Sequence, residues 1–231
     1  MLTGYSSAII YLQIYPSEES IAKKLLVLTL TLMMLLGLAS VSMANTLYFD
    51  ITNGGEVDLE NNSGDLSQTS IGANITSDDL KFGFDYSSGT VENDTDALRL
   101  LFKGGHALVD DKQARFDITA GYYNRELSND YYDEEASFYS FLIGFDARIN
   151  FETNAWVELS YNYGLAPEME LSNDTGYLSQ DADSLSLLNC KFNYLFSEKL
   201  GGSIGYQSEI IDYNDVRLTV SGLTVGLFYN F

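Results

Sequence analysis

The 231-residue chain carries 33 acidic against 12 basic residues, a formal charge of −21, with 19 glycines, 17 tyrosines, 13 phenylalanines and only 2 prolines. A chain this negative lacks the clustered Lys and Arg that phosphate backbones require, so no nucleic-acid partner is expected. Abundant Gly and Tyr with little Pro favour sheet over helix or disorder, and the single Cys190 precludes an internal disulfide.

Residues 1–44 stand apart from the rest. In "AKKLLVLTLTLMMLLGLASVSMAN" a basic pair, Lys23 and Lys24, precedes an apolar run, followed by Ser42 and Ala44 with one residue between them. That order is a secretory signal with cleavage expected after Ala44. The alternative is a membrane anchor, but the run is short for a spanning helix and no positive stop-transfer cluster follows it. Residues 1–20 form an atypical extension ahead of the basic pair, as a start site set too early would produce.

The second unit, 45–231, shows no helical period. Alternation with period two recurs instead, as in strands with one apolar face. In "TLYFDITNGGEVDLEN", Leu47, Phe49, Ile51, Val57 and Leu59 share one parity, and Asp50, Glu56, Asp58 and Glu60 the other. "LKFGFDY" sets Leu80, Phe82, Phe84 and Tyr86 opposite Lys81 and Asp85. "ARFDITAGYYNR" sets Phe116, Ile118, Ala120 and Tyr122 against Arg115, Asp117 and Arg125. "YSFLIGFDARI" sets Tyr139, Phe141, Ile143, Phe145 and Ile149 against Asp146 and Arg148, and "AWVELSYNYGL" sets Val157, Leu159, Tyr161, Tyr163 and Leu165 against Trp156, Glu158 and Asn162.

Such runs predict ten strands, at 46–60, 66–76, 79–88, 96–108, 113–126, 136–149, 154–166, 184–196, 199–211 and 215–231, with eight strands as the alternative. In the last, parity shifts between Val216-Leu218-Val220 and Leu223-Val225-Leu227, which predicts a bulge near Ser221-Gly222. Short connections ("TSDD", "VDDK", "NFETN", "FSEK") alternate with longer or very polar ones, among them "SSGTVENDT", "RELSNDYYDEEAS" and "APEMELSNDTGYLSQDAD". A closed antiparallel membrane barrel has short turns on the periplasmic rim and longer loops outside.

Alternation alone also fits a soluble sandwich or a lipocalin-like calyx. The charges separate these readings. Of the ten basic residues after Asn45, eight (Lys81, Arg99, Lys103, Arg115, Arg125, Arg148, Lys191 and Arg217) fall on the polar parity, and Lys112 and Lys199 fall in short turns. The same face carries nine acids, Asp50, Glu56, Asp58, Glu60, Asp85, Asp117, Asp146, Glu158 and Glu209, so charge nearly balances there while the whole chain stands at −21. A confined lumen requires such matching, because unpaired buried ions cost several kcal/mol each. The other face carries no basic residue within a strand, as a surface facing hydrocarbon demands. The expected network joins Asp85, Arg99, Lys103, Arg115, Asp117, Arg125, Asp146, Arg148, Glu158, Lys191 and Arg217.

The chain ends on "GLTVGLFYNF", where Leu223, Val225, Leu227, Tyr229 and Phe231 alternate up to an aromatic. In this the sequence resembles the small outer-membrane β-barrel proteins of double-membraned bacteria. The resemblance implies an outer-membrane location, lipid as surroundings, and a terminal strand read by the barrel-assembly machinery as an insertion signal. No tethering domain is expected after Phe231.

Catalysis finds no constellation. His106, the only histidine, falls on the apolar parity beside the short turn "VDDK", away from the long loops, and Cys190 shares parity with Leu188, Phe192 and Tyr194, with nothing to activate a thiolate. No enzyme activity and no cofactor are expected. Asp94, Asp96, Asp130, Asp133, Glu134 and Glu135 in the acidic loops are candidates for a loop-bound divalent cation, although none has calcium-loop spacing. Ten strands enclose little beyond side chains, so the primary expectation is a structural or surface-interaction barrel with acidic external loops. The alternatives are a narrow porin-like channel and, more weakly, a periplasmic calyx for a small apolar ligand.

Overall fold

The computed structural model describes residues 44–59, 62–91, 95–129, 134–152, 154–173, 176–214 and 216–231, so the signal segment lies outside the described residues apart from Ala44. The strands are β1 (Ala44–Leu59), β2 (Asn62–Ser77), β3 (Leu80–Val91), β4 (Thr95–Asp110), β5 (Ala114–Asn129), β6 (Glu134–Glu152), β7 (Ala155–Asn173), β8 (Gly176–Asp181), β9 (Ser184–Leu195), β10 (Leu200–Tyr213) and β11 (Val216–Asn230). All neighbours pair antiparallel. β1 to β7 follow in chain order, β9 joins β7 to β10, and β11 pairs back onto β1 from Thr46–Asn230 to Leu59–Leu218. The result is a closed ring of ten strands. β8 is additional, a short strand lying on the Glu168–Asn173 segment of β7.

Closure explains why the sequence tolerates apolar alternation up to its last residues. In hydrocarbon every backbone donor and acceptor must find a partner inside the protein, and only a ring leaves no edge. The ring strands run from 12 residues in β3 to 19 in β6 and β7. A bilayer needs only about 9–11 tilted residues, so the strands continue beyond it on the side of the long connections. Much of the predicted loop "APEMELSNDTGYLSQDAD" is therefore strand, the end of β7 and the whole of β8.

The apolar parity faces outward. Phe82 is 54% exposed, Phe141 69% and Leu159 37%, whereas the side chain of Arg115 is only 12% exposed. A periplasmic calyx needs the opposite orientation, and that reading is corrected here.

The predicted bulge lies in a different strand. β11 keeps one parity throughout, with Leu218, Val220, Thr224 and Phe228 all buried inward. The register shift falls in β1 between Thr52 and Glu56, where Gly54 adopts φ +66°, a conformation costly to residues with a side chain. Beyond it Val57 points inward and Glu56 is exposed, so Glu56 and Asp58 leave the polar face they were expected to share with Asp50. Arg217 is corrected for the same reason. On the unbroken parity of β11 it points outward with a 65% exposed side chain, paired with Asp212 at the outer rim. A second irregularity lies in β7, where Ala166 has φ +48° and the register to β6 shifts between Tyr139 and Phe141, turning Met169 into the barrel.

Candidate functional site: the barrel lumen

The inward face is layered along the barrel axis. At the short-turn end, which the periplasmic geometry of such turns assigns to the inner rim, Arg148 of β6 lies 4.2 Å from the ring centroid of Trp156 on β7. Its Nε donates to Asn150 Oδ1 at 2.9 Å, while Trp156 Nε1 donates to Glu158 Oε1 at 3.0 Å and its ring meets Phe228 edge-on at 5.3 Å. Arg115 donates from Nε and Nη2 to the Asp117 carboxylate and from Nη1 to Asp110 at 2.8 Å. In the adjoining turn the backbone amides of Ala114 and Gln113 donate to Asp111 Oδ1, each at 2.7 Å, and hold its carboxyl below the usual aspartate range.

Above this lies the first ring of ion pairs. Asp146 accepts from Lys81 at 2.9 Å and from Lys103 at 2.8 Å, and Lys103 also donates to Ser160. Lys191 pairs with Asp50 and stands 4.9 Å from the Tyr48 ring. Tyr48 donates to Asp85 at 2.9 Å, its ring lying against Gly72, where a Cβ would collide with it.

The centre is crossed by a buried chain of charge. Arg99 Nη2 donates to Asp85 and Nη1 to Glu209, each at 2.5 Å, and Arg125 Nε donates to the other Glu209 oxygen at 2.7 Å, which also accepts from Tyr123 at 2.9 Å. Each ion is compensated, as burial in low dielectric requires. The outermost layer is apolar: Leu66, Leu142, Leu185, Ile211 and Val220 are all but inaccessible and belong to one cluster with Val57, Ala97, Phe138, Met169 and Leu218.

Of the charged residues expected in the lumen, Asp85, Arg99, Lys103, Arg115, Asp117, Arg125, Asp146, Arg148, Glu158 and Lys191 all line it, and Arg217 does not. Arg148 and Glu158 face each other across β6 and β7 but form no ion pair; the guanidinium stacks on Trp156 instead. Sequence reasoning missed Tyr48 and Asn193, whose parity with Asp50 and Lys191 was their signal. It also missed the apolar layer, whose signal was apolar residues on both parities around Leu142, Leu187 and Ile211. Of the terminal residues, Leu223, Val225, Leu227 and Tyr229 face outward, and Phe231, exposed at the rim beside the larger lumen cavity, meets the Tyr229 ring at 5.1 Å.

The other singled-out residues gather no site. His106 is exposed on the outward face near the short-turn rim, opposite Leu80 of β3, and Cys190 is exposed on β9. Asp94, Asp130 and Asp133 lie outside the described residues, as does the Glu134 side chain. Asp96 sits opposite Thr90 and Ser128 on the outward parity of β4, and Glu135 is exposed and accepts from Ser137 at 3.3 Å. Among the described residues no three metal-ligating side chains come together.

No family model matches the sequence, and a search of curated proteins finds no match. Solved structures do match in shape. The outer membrane protease OmpT of Escherichia coli superposes with a TM-score of 0.59 at 10% identity, over 83% of this chain and 98% of that one. The fold is that of the bacterial outer-membrane β-barrels. The translocator domain of the autotransporter NalP of Neisseria meningitidis (TM-score 0.42, 12% identity, 97% and 100% covered) and Neisserial surface protein A (0.40, 12%, 81% and 97%) are looser likenesses and carry no argument. At such identities the likeness concerns architecture alone. With an apolar exterior on that architecture, the outer-membrane barrel lies in the bacterial outer membrane.

Proposed function

We propose that this outer-membrane barrel is a structural and surface-interaction protein without enzymatic activity, whose lumen does not conduct. The observation that carries the reading is the double closure of the lumen: Arg99 bridges to Glu209 through the centre, and the Leu142–Leu185–Ile211–Val220 cluster fills the bore above it. A permanent aqueous path would have to displace both layers. The non-enzymatic part is supported by His106, which lies on the lipid side near the short-turn rim, far from the loops that would meet an external substrate. Acidic external loops and the β7–β8 projection offer the surface for partners or weakly held divalent cations, and the terminal strand is the segment the assembly machinery would read.

The narrow-channel reading draws on two cavities in the inner half of the lumen, of about 210 and 150 Å³. Recordings of the refolded protein in planar bilayers separate the two readings. The closed barrel gives no steady unitary conductance, while a stable conductance reproduced across insertions would establish the channel and end the structural proposal.

A further inference from the structure

The inner cavities are walled by residues of the short-turn rim and of the ion-pair ring, and share Tyr48, Arg148, Glu158 and Lys191. Around them cations outnumber carboxylates five to four, in a molecule whose total charge is −21. Four of the five cations have a carboxylate within ion-pairing distance; Arg148 has none among the described residues. Its single hydrogen bond there is from Nε to Asn150, which leaves both terminal nitrogens without an acceptor. Asn193, 95% buried by its 5% exposure, lines the larger cavity with an Nδ2 that has no partner. Buried donors are normally satisfied, and a small rotation of this amide brings its unpaired donor to the cavity that its residue already lines, where an acceptor from outside satisfies it. The wall between these donors is aromatic, Trp156 against Phe228.

We propose that this vestibule is a binding site for a small monocarboxylate with a flat apolar body, entering from the periplasmic rim. The inference goes beyond the structural role and holds whether or not the barrel has surface partners. A guanidinium fork already stacked on an indole receives a planar carboxylate through two parallel hydrogen bonds. The Asn193 amide supplies a further neutral donor. Around the larger cavity Asp50 and Glu158 match Lys191 and Arg148 in number, so the wall has no surplus of positive charge to hold a dianion; the site suits a monoanion and disfavours phosphate. The volumes are below those of drug-sized pockets, which limits the occupant to about the size of benzoate.

Trp156 is the only tryptophan in the chain and so reports on the site directly. In the refolded barrel, benzoate titration at constant ionic strength is expected to change Trp156 emission saturably, with a dissociation constant on the order of 1 mM for so small a ligand. Benzamide and chloride at matched concentrations give no such saturation. Arg148→Gln weakens the response at least about tenfold, Arg148→Lys partly restores it, and Asn193→Ala weakens it while leaving every cation in place. Arg217→Gln, at the opposite, outer rim, leaves it unchanged. The heat-shifted gel band verifies that each variant is folded, and Asn193→Ala decides the matter should Arg148→Gln fail to fold. Lack of saturation by about 20 mM benzoate overturns the proposal. So does an equal response to benzamide or chloride, or unaltered binding in folded Arg148→Gln or Asn193→Ala.

Discussion

Arg99 on β4 donates to Glu209 on β10 at 2.5 Å, although the two strands stand five places apart in a ring of ten and share no backbone hydrogen bond. Side chains from opposite walls therefore meet through the centre of the barrel. Glu209 holds a second guanidinium, Arg125, whose side chain is 0% exposed.

That relationship makes Glu209 the most consequential single residue of the lumen. Glu209→Ala leaves two cations facing each other in a buried site, and breaking a buried pair costs about 3–5 kcal/mol. Urea unfolding in lipid vesicles is expected to show that loss. A loss below about 1 kcal/mol would mean that water already screens the centre.

The apolar layer responds differently. Leu142→Ala removes a side chain that is 1% exposed and is expected to cost about 2–5 kcal/mol with no change in salt dependence. The Glu209 variant, in contrast, leaves an uncompensated buried charge that salt screens little, so its deficit is expected to persist at high salt and to shrink when Arg125→Ala is added. Arg125→Ala gives no such relief to Leu142→Ala, and comparing the two double variants tests the assignment of the two layers.

Arg217→Ala is expected to be nearly silent, within about 1 kcal/mol, because its bond to Asp212 lies at the solvated outer rim. Phe141→Arg, on the outward face near mid-strand, is expected to cost about 2–4 kcal/mol, the depth-dependent cost of a charge against hydrocarbon. If the two substitutions exchanged their effects, the assignment of the faces would be reversed.

The turn at Asp111 has a pH signature. Amide donation from Ala114 and Gln113 stabilises the carboxylate, so the carboxyl titrates below the ordinary aspartate value of about 3.9. A depressed value means that the turn's stabilisation is fully present above that ordinary range and is lost as pH falls through the lowered one. NMR titration in detergent micelles is expected to show the Gln113 and Ala114 amide signals moving together with the Asp111 carboxyl. Titration at the ordinary value would show that the turn is open in solution.

Much of the architecture is legible in the sequence because a strand has a side-chain period of two and a bilayer penalises charge on one face only. Those constraints act residue by residue, so "LKFGFDY" and "ARFDITAGYYNR" fix which side of β3 and β5 meets lipid without reference to any neighbour. The near balance of charge on the polar parity likewise anticipates a lumen in which Lys81 and Lys103 meet Asp146.

What the sequence left open depended on register. Placing the bulge at Gly54 rather than at Ser221-Gly222 exchanges the faces of everything beyond it in β1, and holding β11 continuous turns Leu218 and Val220 inward and Arg217 outward. Either position satisfies local alternation; only cross-strand pairing with β2 and β10 selects one. The partners of Glu209 were equally beyond reach, because which charges meet across a lumen depends on strand stagger and barrel diameter. Those are properties of the closed ring, and no single strand contains them.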